Sequence, residues 1–171
     1  MGMSPIINIV YEIDDIEAIN SIVEAVKEVY GFEVFSEYNK INVEFAYNLS
    51  RKQYDALKIL FNHRYPVSKN ILTLLVIDKD IYVSPLNFCF GLAIDKIAII
   101  STFRLISQDR EIFLSRCKKE AIHEIGHMLG LSHCKNYTCV MFFSNSIADT
   151  DRKSYRMCDV CKSKIKKSLS K

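Results

Sequence analysis

The sequence predicts an α/β protein: a mixed, twisted sheet with flanking helices, followed by a C-terminal segment held by metal. Three observations predict it. Short β-branched runs alternate with helical periodicity up to residue 107. One strong helical pattern then covers residues 110–130. Beyond it, cysteines recur where strand patterns do not. At 171 residues the chain is expected to form one domain over 1–171, with a sheet-containing part at 1–107 and a metal-held part at 108–171.

The elements follow in order. Residues 6–11 are a buried-type run between Pro5 and Asp14-Asp15, and read as a strand. Ile16, Ile19, Ile22, Val23, Val26 and Val29 recur at helical spacing, and Gly31 ends that helix. Residues 32–35 and 41–45 read as two strands or one bent strand. Ser50 is a candidate N-cap for a helix over 51–62, with Tyr54, Leu57, Lys58 and Phe61 on one face. Residues 71–77 form a central strand, and 96–102 another buried one. Between them, 80–91 reads as a loop containing Pro85, in which 87–90 is a candidate short edge strand.

Composition excludes several classes. With 49% apolar and 25% charged residues the chain folds rather than staying disordered. A net charge of +3 is too small to argue for a nucleic-acid binder. The charge is uneven, however: residues 151–171 carry eight Lys/Arg against two Asp. No apolar run approaches the roughly 18 residues of a membrane span. Residues 1–15 lack a basic n-region, and Ile6 stands where myristoylation needs Ser or Thr. The expected compartment is the cytoplasm, where six cysteines serve as thiols or metal ligands rather than disulfides.

The chemistry concentrates on the long helix. His123-Glu124-x-x-His127 places two imidazoles one turn apart on one face, where they can share a Zn²⁺. Glu124 lies about 100° around the helix from His123, a position suited to a base rather than a ligand. Gly130 follows at a natural helix stop, and His133 comes three residues later as a third ligand. Gly126 and Gly130, on the histidine side of the helix, suggest close approach by another group. A lone histidine is ordinarily a satisfied core residue, but three of the four here fall within 11 positions. His63, beside Arg64 and Tyr65, reads as a surface or loop residue.

Cys134 and Cys139 make one hook, and Cys158-Asp159-Val160-Cys161 a second. Two such hooks suit a tetrahedral four-thiolate zinc site. The net −2 of such a site would be partly offset by Arg152, Lys153, Arg156, Lys162 and Lys164. Cys89 and Cys117 stand apart and read as buried apolar residues.

His123 to His133, followed by Cys134, Cys139-Val140-Met141 and Cys158-x-x-Cys161, resembles the archaemetzincins, a branch of the metzincin zinc proteases. Ser50-Arg51-Lys52-Gln53-Tyr54, Asn87-Phe88-x-Phe90-Gly91-x-Ala93 and Ser101-x-x-Arg104-Leu105 are similar to stretches of the same family. The gap between Met141 and Cys158 is about one residue shorter than the family pattern. The resemblance implies a metzincin-like fold with two zinc ions per chain. His123, His127 and His133 would hold the catalytic ion, and Cys134, Cys139, Cys158 and Cys161 the structural one. Glu124 would act as general base and acid, and Met141 would lie in a turn beneath the catalytic site.

The expected function is peptide-bond hydrolysis in which water at the zinc loses a proton to Glu124. A monomer acting on a peptide or protein substrate, with neither membrane nor nucleic acid as partner, completes this reading. The rival is a zinc-stabilised protein- or nucleic-acid-binding module with a vestigial or latent site. Retention of Glu124 argues against it, since a binding module has no use for that carboxylate. A third reading is an enzyme closed by an inhibitory segment, or one of narrow specificity.

Overall fold

The computed structural model describes residues 4–63 and 70–170. Residues 1–3 of the N-terminal stretch, and Arg64 and Tyr65 beside His63, lie outside the described residues. Strand β1 (Ile6–Tyr11) leads into helix α1 (Ile16–Tyr30). Asp15 caps the helix by accepting from Ala18 N at 3.0 Å, and Gly31, at φ 68°, closes it. Strands β2 (Glu33–Tyr38), β3 (Tyr47–Asn48) and β4 (Gln53–Asp55) come next, then helix α2 (Ala56–His63). Strands β5 (Ile71–Ile77), β6 (Ile81–Tyr82), β7 (Gly91–Ile94) and β8 (Ile97–Ser101) follow. Helix α3 (Arg110–Met128) precedes two shorter ones, α4 (Ile147–Arg152) and α5 (Asp159–Leu169).

The main sheet has the order β2-β1-β5-β8-β7, all parallel except β7, which runs antiparallel to β8. A smaller sheet pairs β3, β4 and β6. Central β5 is buried on both faces, which is why it reads as a continuous apolar run rather than an alternation. Leu72, Leu74 and Val76 enter the core shared with α1 and α3, while Leu75 and Ile77 enter the one shared with α2. Arg110 pins the starts of α1 and α3 together, with two bonds to Asp15 at 2.6 Å and one to Glu17 at 2.7 Å. Its guanidinium holds the Asp15 carboxyl below the usual range. Helix α3 also packs against β7 and β8, so the histidine helix lies beside the antiparallel edge strand.

Four local expectations change. Residues 41–45 are not a strand: Ile41 and Val43 are buried against α2, and Glu44–Ala46 is a 3₁₀ turn. The backbone N–H of Ile41 bonds the Glu12 carboxylate at 2.7 Å instead of a neighbouring strand. Ser50 is not a helix cap, because Asn48 holds 48–52 in a tight turn and α2 starts only at Ala56. Asp55 takes the capping role by accepting from Lys58 N at 3.2 Å. The buried face of α2 is accordingly Ala56, Ile59 and Leu60, with Leu57 and Phe61 exposed. The edge strand is Gly91–Ile94, not 87–90, which runs as irregular chain held at Cys89 N by the Ile81 carbonyl. The C-terminal segment lacks strands among the described residues, as expected, but contains α4 and α5, which short-range patterning did not announce.

Candidate active site and metal centres

Helix α3 ends at Met128, and Gly130, at φ 88°, turns the chain left-handed so that His133 returns toward the helix. The three imidazoles converge: one ring nitrogen from each of His123, His127 and His133 lies within 4.8 Å of the others. His123 Nδ1 meets the Val140 carbonyl at 2.7 Å, and His127 Nδ1 meets the Leu131 carbonyl at 2.7 Å. A carbonyl only accepts, so both Nδ1 atoms carry protons and both Nε2 atoms of the neutral rings present lone pairs. Those two Nε2 atoms are 3.0 Å apart. Two lone pairs at that distance repel unless a cation lies between them, so the donor set fits a metal. Burial lowers the proton affinity of all three rings, keeping them in the neutral form that ligates.

Glu124 is buried beside this cluster and makes no side-chain hydrogen bond among the described residues. Burial, reinforced by the charge of Glu120, pushes its carboxyl well above the usual range, against the opposing charge of Lys153. Gly91, at the start of β7, lies against it: a Cβ there would come within 2.7 Å of Glu124 Oε1 and 2.9 Å of the Ile99 carbonyl. Sequence reading placed Gly91 in a family-like stretch without a role, since nothing local marks a contact across the fold. Gly91→Ala is expected to displace the Glu124 carboxylate and lower turnover at this site about 100-fold. Steady-state kinetics beside metal analysis checks this, and unchanged turnover would show that Glu124 tolerates the shift.

Gly126 makes a second close approach. A Cβ there would overlap Met141 Sδ and come 3.3 Å from Tyr30 Oη, so the glycine admits Met141 directly beneath the histidine helix. Tyr30 Oη donates to the Ile122 carbonyl at 2.6 Å, tying α1 to the same turn.

Cys134, Cys139, Cys158 and Cys161 bring their sulfurs within 4.8 Å of one another. Four thiolates at about 2.3 Å from Zn²⁺ stand about 3.8 Å apart in a tetrahedron. The Cys134 and Cys158 sulfurs are 3.8 Å apart, and all six cysteines are free. Cys158 stands at the N-cap position of α5, where the nearby Cys161 backbone N–H is the main influence drawing its thiol down to about 7. Of the other two cysteines, Cys117 is buried as expected, whereas Cys89 is half-buried and lines the active-site cavity. His63 closes α2, with Nδ1 2.9 Å from the Ile59 carbonyl.

The basic residues around the second hook do not chiefly face the thiolates. Arg156 and Tyr155 bond Glu28, Arg152 lies 3.7 Å from Asp149, and Lys162 lies 3.8 Å from Asp159. Lys153 is fully buried and lies 3.4 Å from Glu120.

A cavity of about 630 Å³ opens over the histidines and Glu124, walled by residues 83–93 on one side and by Phe143, Ser144 and Asn145 on another. The three upstream family-like stretches converge on the first wall. Arg51 donates to the carbonyls of Leu86 and Asn87 at 2.8 and 2.9 Å, and Gln53 to Asn87 at 3.0 Å. Asp80 accepts from Gln53 and takes two bonds from Arg104.

A twisted mixed sheet, a helix presenting two imidazoles and a carboxylate, and a third imidazole returned by a glycine turn define a zinc metallopeptidase. The chain belongs to peptidase family M54, whose model matches residues 32–167. It is 49% identical over 123 residues to the archaemetzincin of Archaeoglobus fulgidus, covering 71% of this chain and 74% of that one. To the archaemetzincin of Saccharolobus solfataricus it is 42% identical over 151 residues, covering 83% and 82%. The crystal structure of archaemetzincin from Methanopyrus kandleri superposes with a TM-score of 0.89 at 32% identity, covering 98% and 97%. None of the helices is long and apolar enough to cross a membrane, among the described residues.

Proposed function

We propose that this zinc metallopeptidase cleaves peptide bonds with Glu124 as general base and acid. His123, His127 and His133 are assigned to a catalytic zinc, and Cys134, Cys139, Cys158 and Cys161 to a structural one. The observation that carries the reading is the pair of unprotonated Nε2 atoms 3.0 Å apart, with both Nδ1 atoms committed to carbonyls. Zinc, when bound, supplies the Lewis acidity that brings a water proton within reach of a carboxylate near neutral pH.

The chain's own residues do the rest. Glu124, whose surroundings raise its proton affinity, takes the proton of the attacking water and returns it to the departing amine. Gly91 keeps room for that carboxylate. Strand β7 has β8 on one side only, and its free edge is the place for an extended substrate. Met141, seated under Gly126, supports the histidine helix from below. One core running from Ile7 to Ile165 supports treating 1–171 as a single domain, and we take it as a monomer. Free thiols clustered for metal suit a reducing compartment, which supports a cytoplasmic assignment. The rival binding-module reading loses ground, because Arg152, Lys153, Arg156 and Lys162 already face carboxylates.

Metal analysis tests the assignment. Purified protein is expected to hold close to two zinc ions per chain, and a chelator should remove one before the other. The histidine site leaves first because it has neutral ligands and an open position. A single zinc that survives loss of all three histidines would remove the catalytic site. Digestion of a peptide library is the matching test of activity.

A further inference from the structure

We infer, building on the peptidase reading, that the cavity favours substrates whose residue beside the scissile bond carries a long side chain tipped by a hydrogen-bond donor. Glu120 is the residue that reads the tip. It lies one helical turn before His123 and Glu124 on α3, so it faces the same cavity, whose lining includes it. Its Oε1 accepts from Thr150 Oγ1 at 3.2 Å and lies 3.4 Å from Lys153 Nζ. Neither Thr150 nor Lys153 lines the cavity. Oε2 has no hydrogen-bond partner among the described residues, yet it is not sealed off. The one fully shielded side-chain polar atom without a partner among them is Ser144 Oγ, which also belongs to the cavity lining.

The chemistry of the pair explains the preference. Lys153 is fully buried and also donates to the Phe142 carbonyl at 3.3 Å, so its ammonium is fixed beside Glu120. In that ion pair the carboxylate oxygens serve as hydrogen-bond acceptors. An acceptor oxygen with no donor, facing a cavity lined by Leu86, Phe88, Leu92 and Phe143, is unfavourable until a donor reaches it. Those apolar walls take the stem of a long side chain, and Glu120 Oε2 takes its tip. An acidic tip is repelled and a purely apolar one leaves that oxygen unpaired.

Peptide binding to zinc-loaded Glu124→Gln protein tests this, measured by calorimetry on a peptide the wild type cleaves. The peptide is varied at each residue flanking the cleaved bond to Gln, Lys, Met or Glu. At one flanking position Gln and Lys are expected to bind about tenfold tighter than Met, with Glu weakest. Adding Glu120→Leu and Lys153→Met together removes the buried pair at similar volume, so the fold should persist. Met should then bind tightest. Adding Glu120→Gln alone gives a second check at constant shape: the preference for Lys falls and the rejection of Glu is relieved. Met binding as tightly as Gln and Lys at both positions, or an order unchanged by these substitutions, would overturn the inference while leaving the peptidase reading intact. Absence of both cleavage and binding for every peptide would overturn that reading and this one with it.

Discussion

Glu124→Gln is expected to lower peptide hydrolysis about 1,000-fold while leaving zinc content and melting temperature close to wild type. The amide has the shape of the carboxylate, so it fits the space that Gly91 leaves free. It accepts a proton far less readily, which in the proposed mechanism leaves the water without a base and the amine without an acid. The donors that converge beside Glu124 are the three imidazoles, and the amide leaves them in place. His123→Ala should behave differently, losing both the histidine-bound zinc and activity. Kinetics on a cleaved peptide, with metal analysis of both variants, separates the two effects. Turnover by Glu124→Gln at the wild-type rate would remove Glu124 from the mechanism.

Cys158→Ser is expected to act at a distance. It should lose the second zinc, disorder much of the C-terminal segment and weaken the histidine-bound zinc by roughly 10–100-fold. The chain offers two routes for this coupling. His133 and Cys134 are adjacent, and Cys134 N donates to the Met141 carbonyl at 2.8 Å. The second route is stronger: Val140, next to Cys139, supplies the carbonyl that fixes His123 Nδ1. Val140 N is in turn held by the Arg156 carbonyl, two residues before Cys158. Releasing Cys158 therefore loosens the backbone that orients the His123 imidazole. A competitive chelator titration of wild type and Cys158→Ser measures the change. Loss of the second zinc with unchanged affinity at the first would show the two centres to be independent.

The residues that meet at the two centres were legible because their chemistry is written at short spacing. The i, i+4 histidines need only a helix, and Gly130 with its positive φ is enough to bring His133 back. The cysteine hooks likewise announce themselves, as do β1, β5, β8 and α1, whose apolar patterns outweigh any competing local preference. Short elements were the ones misread. Strand β7 has four residues without alternation, and α4 and α5 are held by packing and the sulfur cluster rather than by a long periodic face.

By itself, then, the sequence determined the α/β class, the donor set and the helix that carries it. Each of these depends on residue type and on separations of a few positions. Only the tertiary structure decided what surrounds those donors. Gly91 facing Glu124, the Val140 carbonyl on His123, the Arg51 clamp on the cavity wall and the buried Glu120–Lys153 pair each join segments far apart in the chain. Lys153 shows the reason most clearly. In the sequence it is one cation of a basic tail, and only the packing of residues 150–153 against α3 turns it inward to a carboxylate. Contacts of this kind follow no period, because they are fixed by how whole elements stack on the sheet.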